Sequence, residues 1–476
     1  MDWTEESLLN RHRRRTSRVR QLDIDGRNAF ENDYSRIILC SSFRRLQDKA
    51  QVFPLDENDF IRTRLTHSIE VSSIASSLGA SIEKFLIDNG KMDEKHKGEI
   101  KAILASVGLL HDLGNTPFGH FGEYAVQKFF EEFFNNPKNE ELVRELTEEE
   151  KLDFQYFDGN SHVIRLVTRL QYIRDIYGLN LTYATLAALL KYPRSSKEGN
   201  KKEEGIGVSY KKFGYFQSEK ETFNQIVEKT NIRRPDRTIC RHPLVFLMEA
   251  ADDIAYSVAD IEDGIKKGIL SIGKVKEILN KYLFFNEDDS ERNISDEERK
   301  IFNILTEQID DRYPNNDERI IQLLRSSVQS FMIKSVVEAF QEEYENIMEG
   351  RFDKELLNES KAGRIREAFK QIAIIIFADK DIIGNELAGE KIITRLLELF
   401  IGAVTNKNCN GILLYKQERT KEAKLYRMIS DNYRFIYENH SSKTLYERLL
   451  LVTDYICGMT DYFALDLYKK LNGIII

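Results

Sequence analysis

The sequence predicts an all-α protein, and three observations carry that reading. Apolar residues recur at helical spacing along most of the 476 residues. Only seven prolines and one tryptophan occur among abundant Leu, Ile, Glu, Lys and Ala, a balance that favours helices. Strand signals are few and short.

Residues 66–88 place apolar side chains at Ile69, Ile74, Leu78, Ile82 and Phe85, as expected of a helix packed along one face. Residues 99–111, EIKAILASVGLLH, read as a deeply buried helix. The chain breaks at Gly114 and Pro117 and restarts near Gly119. Further helices are expected at about 161–177, 181–191, 242–267, 316–347, 360–379, 389–404 and 441–471. The stretch 194–216 is rich in Gly, Ser and charge and reads as a loop with at most a small β-hairpin. A polar stretch at 285–299 suggests a division into residues 1–280, a catalytic core with a basic arm, and 281–476, a helical region completing the pocket and making subunit contacts.

Apolar residues make up 41% and charged residues 31%, an ordinary globular composition. A net charge of -8 argues against a protein that coats nucleic acid throughout. Residues 11–20, RHRRRTSRVR, are the exception, with six arginines and no acid. Such a run is either a solvated or subunit-contacting arm or a surface for phosphates, including those of single-stranded DNA. The four cysteines lack CxxC spacing, so no zinc knuckle or disulfide framework is indicated. No apolar run approaches the roughly 18 residues of a membrane span, and the N-terminus lacks a signal-peptide core. A reduced cytoplasmic location is expected.

Eight histidines occur, and two lie in apolar helical contexts: His67 in RLTHSIEV and His111 in GLLHDLGNTPFGH. A lone histidine on an apolar face is more often a hydrogen-bonded core residue than a ligand. His111 differs because Asp112 follows it at the end of a buried helix, where an acid is expensive to desolvate. A divalent cation offsets that cost. A second acidic group comes from EAADDIAYSVADIEDG, in which Asp252, Tyr256 and Asp260 share one helical face. Imidazole with carboxylate suits Mn²⁺ or a borderline transition metal, with Mg²⁺ less natural.

The chain resembles the HD-domain hydrolases and, within them, the deoxyguanosine triphosphate triphosphohydrolase (dGTPase) family. The resemblance rests on an ordered set of blocks: SSFRRLQDKAQVFP at 41–54, RTRLTHSIEV at 62–71, LLHDLGNTPFGHFGE at 109–123 and FDGNSHVIRLVTRLQ at 157–171. ALLKYPR at 188–194, RHPLVFLMEAADDIAYSVADIEDG at 241–264 and VTDYICGMTDYFALDLYKKL at 452–471 complete it. It implies an HD-domain helical core with additional C-terminal helices. His67, His111, Asp112 and Asp252 match the family's metal ligands, and His120 with Glu123 match a catalytic pair. Arg64 and Lys191 match phosphate-side positions, and Tyr192 is a further phosphate donor. Gln47 and Asp260 match groups around the sugar 3′-hydroxyl, and Tyr256 matches the ring under the deoxyribose. One block departs from the family: FDGNSH stands where FEGNAQ is usual, so that His162 in place of Gln alters either a contact behind the site or the base pocket, and it stays outside the catalytic set.

The implied activity is hydrolysis of a dNTP, dGTP or several, to deoxynucleoside and inorganic triphosphate, with one divalent ion per site. His120 acts as general acid or as nucleophile. A free-standing bacterial enzyme is implied, as a hexameric or tetrameric homo-oligomer with a regulatory dNTP at a subunit interface. Two other readings stay open. One is an HD phosphohydrolase of a nucleotide monophosphate, cyclic dinucleotide or alarmone; the other is a nucleic-acid-binding or nucleotide-sensing helical protein.

Overall fold

A computed structural model describes residues 1–15, 26–56, 58–171, 175–201, 203, 205–286, 288, 290–306, 316–406, 419–440 and 442–474. The last five residues of the arginine run, 16–20, fall outside these.

The architecture is helical, and among the described residues strand-type pairing is confined to four isolated bridges. At the centre lie the helices Arg64–Asp88 and Glu99–Leu110, packed against one another, with Pro243–Lys266 laid against both. Ala29–Leu39 and Tyr183–Leu189 cover the Glu99–Leu110 helix. Asn316–Glu342 and Gly363–Phe377 pack on Pro243–Lys266 from the C-terminal half. On another side, Gly119–Asn135 meets Lys380–Thr405, which in turn supports Leu445–Cys457 and Asp461–Leu471. Buried side chains from Trp3 to Leu467 form one contiguous cluster. No helix among the described residues is long and apolar enough to cross a membrane.

Local chemistry sets the helix starts. Thr63 caps Arg64–Asp88 by accepting from Thr66 N, and Thr66 returns a bond to the cap. His242 caps Pro243–Lys266, with Pro243 in the first turn, where its missing N–H costs nothing. Ser295 and Glu298 form a reciprocal box at Asp296–Ile304, inside the polar stretch at 285–299.

Several expected helices differ in detail. Ile69 is 51% exposed, so the Arg64–Asp88 helix buries His67, Val71, Ile74 and Leu78 instead. The 161–177 helix ends early: Gly159–Arg165 widens into a π turn at Leu166–Leu170. There Val167 O accepts from Leu179 N at 2.8 Å, and Arg14 donates to Thr168 O at 2.9 Å, so carbonyls that would continue the helix are taken. Residues 441–471 divide at Gly458, after which Thr460 caps a new helix. Within 194–216 the described residues form a 3-10 turn at Val208–Tyr210 and no hairpin.

The described arginines of the basic run turn inward. Arg13 pairs with the fully buried Asp33 at 2.5 Å, and Arg15 with Asp175 at 2.6 Å. Arg11 pairs with the buried Glu99. These contacts hold the N-terminal segment across the helical core rather than presenting it as an open cationic face.

The two central helices run antiparallel at unusually short range. A Cβ on Gly108 would stand 2.6 Å from Ser72 Cα, and one on Gly79 would stand 3.0 Å from Lys101 Cα. Gly108→Ala is therefore expected to lower stability by about 1–3 kcal/mol through overpacking. Gly384→Ala, with open space around the added carbon, is the matched control. Denaturant midpoints compare the two; equal midpoints would contradict the close crossing.

Candidate metal centre and its surroundings

The Thr63 cap places Arg64 and His67 in the first turn of their helix. His111 closes the Glu99–Leu110 helix, and the chain turns immediately afterwards through Asp112 to Asn115. That turn frees two consecutive side chains to reach one point. Asp252 arrives from the middle of the Pro243–Lys266 helix.

The three elements bring His67, His111 and Asp252 together, with ligand atoms within 4.8 Å of one another. His67 Nε2 is 3.1 Å from Asp252 Oδ1 and 3.3 Å from His111 Nε2, and His111 Nε2 is 3.5 Å from Asp252 Oδ1. Asp112 stands at the edge of the group, its oxygens 3.7 Å from His111 Nε2 and 3.9 Å from His67 Nε2. Its carboxylate accepts from Arg64 at 2.6 Å and from Asn115 Nδ2 at 2.8 Å.

These residues fit a divalent cation. His111 Nδ1 faces the Gly108 carbonyl at 2.8 Å and must donate to it, which leaves Nε2 as a lone pair aimed at His67. Two imidazole nitrogens and a carboxylate oxygen then converge, while buried His67 Nδ1 finds no hydrogen-bond partner among the described residues. Neutral imidazoles with carboxylates, one imidazole oriented by a backbone carbonyl, form a borderline-metal donor set. The carboxylates favour positive charge at this point, whether carried by a proton or by a cation. Burial pushes the His111 imidazole down, but Asp112 and Asp252 outweigh it and raise it to about 9. Burial pushes Asp112 and Asp252 up, yet Arg64 and the imidazoles hold both well below the usual carboxylate range.

A second group lies just beyond Arg64. His120 and Glu123 sit in the first turn of Gly119–Asn135, with Nδ1 3.0 Å from the Glu123 carboxylate. Glu123 also accepts from Gly159 N at 2.9 Å. The His120 side chain is 81% exposed, although charged groups crowd around it. Its hydrogen bond with Glu123 raises the imidazole, opposed by burial, Lys212 and Arg64. Burial pushes Glu123 up, and His120 and Lys212 more than reverse that.

The remaining sequence-derived positions spread around these groups. Arg64 is buried and directs one nitrogen at Asp112, while another would touch a Cβ on Gly119 at 3.1 Å. Lys191 Nζ lies 3.4 Å from Glu249 and over the Tyr192 ring at 5.7 Å; burial pushes it down, but Tyr192, Asp252 and Asp253 raise it overall. Tyr256 is half-buried, its hydroxyl pushed up by burial and Asp253. Asp260 is buried and raised to about 8 by desolvation and Asp263. Gln47 is exposed on the Leu46–Asp48 turn. His162 lies outside both groups: it is buried, with Nδ1 3.0 Å from the Gly114 carbonyl.

Lys212 is the neighbour that sequence reasoning missed. It pairs with buried Asp158 and acts on both His120 and Glu123. Its only signal is a lysine in a glycine-rich loop. Arg62 was missed as well; it joins Glu70, Glu262 and Asp263 at 3.2, 2.6 and 2.5 Å, tying the His67 helix to the Asp252 helix.

The HD domain family matches residues 64–208. A deoxyguanosinetriphosphate triphosphohydrolase-like protein of Listeria innocua is 43% identical over 100% of both chains. One from Synechocystis is 34% identical, again over 100% of both. A deoxyguanosinetriphosphate triphosphohydrolase of Salmonella arizonae is 30% identical over 94% of each chain. Full-length identity at this level, with His67, His111 and Asp112 inside the matched HD segment and Asp252 beyond it, makes the chain a member of the deoxyguanosinetriphosphate triphosphohydrolase family of HD-domain proteins.

Proposed function

We propose that this protein is a metal-dependent dNTP triphosphohydrolase, releasing deoxynucleoside and intact inorganic triphosphate. One observation carries the reading beyond family membership. The imidazole–carboxylate cluster and the His120–Glu123 pair lie to either side of Arg64, so a cation site and a proton donor flank one cationic side chain.

A divalent ion held by His67, His111, Asp112 and Asp252 would supply Lewis-acid polarisation of the phosphoryl group. Mn²⁺ or another borderline transition metal suits the donors better than Mg²⁺. The chain's own residues do the rest. Arg64, Lys191 and Tyr192 face the anionic substrate, and Lys212 extends the positive charge toward His120. Water adds its oxygen to the α-phosphorus, and the bond from phosphorus to the 5′ oxygen breaks. Protonated His120 gives its proton to that leaving oxygen, and the proton shed by the water restores the imidazole. Glu123 favours the protonated imidazole and so keeps the donor loaded. Tyr256 packs beneath the deoxyribose and fills the space of a 2′-hydroxyl, while Gln47 and neutral Asp260 address the 3′-hydroxyl.

The reading extends to a cytoplasmic homo-oligomer, hexameric or tetrameric, with a regulatory dNTP between subunits. Leu39 and Phe60, each 73% exposed, supply apolar surface for such contacts. Single-stranded DNA is the weaker extension, because Arg11, Arg13 and Arg15 are engaged with acids of the protein itself.

Four outcomes are expected. Protein supplied with Mn²⁺ releases deoxynucleoside and triphosphate from at least one dNTP, resolved by anion-exchange chromatography; dNMP with pyrophosphate would refute the reaction. Asp252→Ala retains its fold by circular dichroism but loses metal by at least about tenfold, because one of the converging donors is gone. His120→Ala lowers kcat by roughly 10²–10⁴, the usual range for a lost general acid. Because Glu123 lifts His120 above its ordinary 6.5, kcat falls only as pH rises through that raised value. Glu123→Gln removes the lift and moves this alkaline limb to lower pH. An unmoved limb would separate Glu123 from proton transfer.

A further inference from the structure

Phe118 is buried and adopts φ +62, ψ 21, a left-handed conformation that non-glycine residues rarely hold. It is the residue from which the Gly119–Asn135 helix starts, one step before the turn carrying His120 and Glu123. Such a conformation persists only where surrounding structure over-determines it.

Two contacts from the C-terminal half do so. The Phe118 amide donates to Asp461 Oδ1 at 3.0 Å. Its ring lies so close to Gly389 that a Cβ there would stand 2.6 Å from Phe118 Cγ. The second oxygen of Asp461 is also committed, accepting from Ala50 N at 3.0 Å. Ala50 bridges to Thr63, the cap of the His67 helix, and Lys49 O accepts from Arg64 N at 3.0 Å. Asp461 is itself fixed, 2% exposed in the first turn of the Asp461–Leu471 helix. The buried Lys49 adds a parallel tie, donating to Cys457 O at 3.1 Å and to Asn115 O.

One carboxylate thus holds the two backbone segments that launch the two helices of the site. We propose that Asp461 is a positioning residue for His120, clamping the left-handed Phe118 turn to the start of the His67 helix so that His120 is aimed against Glu123. The proposal rests on the functional reading only where it takes His120 as the proton donor. Asp461 makes no contact with the metal cluster among its described bonds, so its loss acts on turnover rather than on metal or substrate binding. Freeing Phe118 lets the first helical turn pivot, and displacement of a reacting group by about 1 Å is enough to cost about 100-fold in rate.

The test uses the full-length protein with Mn²⁺ and dGTP. Asp461→Asn turns an amino group toward one of the two amides it now accepts from. Gly389→Ala presses on Phe118 from the opposite side. Both are expected to lower kcat at least about tenfold, a fraction of that positional cost, with KM and bound Mn²⁺ little changed. Hydrogen exchange of the Phe118 amide rises in Asp461→Asn. Val275→Ala, a core truncation elsewhere, lowers the unfolding midpoint but retains kcat, which separates positioning from simple destabilisation. Wild-type kcat in Asp461→Asn, or unchanged exchange at Phe118, would overturn the proposal. If Asp461→Asn fails to fold, Gly389→Ala decides on the same two readouts. If the wild-type protein turns over no dNTP, the functional reading fails by itself. Phe118 exchange and the His120 ring signal in nuclear magnetic resonance spectra then decide the positioning role without activity.

Discussion

The close approach of two helix backbones at Gly108 and Ser72 is the constraint on which the site depends. His67 lies just over one turn from Ser72, and His111 lies three residues beyond Gly108. Because the helices run antiparallel, contact at Gly108 brings both imidazoles to the same level with their Nε2 atoms 3.3 Å apart. A side chain at Gly108 would separate the helices and, with them, the two rings. Packing geometry, not any local motif, therefore converts two histidines 44 positions apart into one donor set.

Once the imidazoles meet, electrostatics decides what else belongs. The Pro243–Lys266 helix carries several acids inward, and their surroundings give them different roles. Glu262 and Asp263 are consumed by Arg62, with Arg325 adding a further bond to Glu262, so their charge is neutralised within the fold. Asp260 lacks so close a cation and is raised to about 8, which makes it a neutral hydrogen-bond donor at ordinary pH. Asp252 faces two imidazoles and stays ionised. Four acids within about three turns of one helix thus supply a tie, a neutral donor and a member of the candidate metal cluster. Residue type is the same throughout; the neighbour makes the difference.

The sequence made some of this legible and hid the rest for identifiable reasons. Helix positions followed from periodicity and from the Gly and Pro breaks, because those signals are local. The HisAsp pair at 111–112 stood out because a buried helix end is an expensive place for an acid. Ile69 misled because apolar spacing does not say which of two adjacent faces is covered, and the face bearing His67 and Val71 is the buried one. The run at 11–15 looked like free positive charge because its partners, Glu99, Asp33 and Asp175, are distant in sequence. Lys212 and Arg62 were hidden for the same reason: a lysine in a loop and an arginine before a helix carry no mark of the acids they will meet.

The site is also assembled from unequal distances along the chain. The two histidines and the arginine between the site's groups, Arg64, sit on one helical hairpin of neighbouring segments, whose contacts form with little loop-closure cost. Asp252 joins from a helix packed directly on that hairpin. The turn that starts the His120 helix is different, since Phe118 meets Asp461 across 343 positions. The donor cluster thus forms between directly packed helices, whereas the turn before His120 is held from the far end of the chain. On the proposed mechanism, substitutions near the C-terminus reach the turn before His120 through Asp461 without altering a residue of the donor cluster.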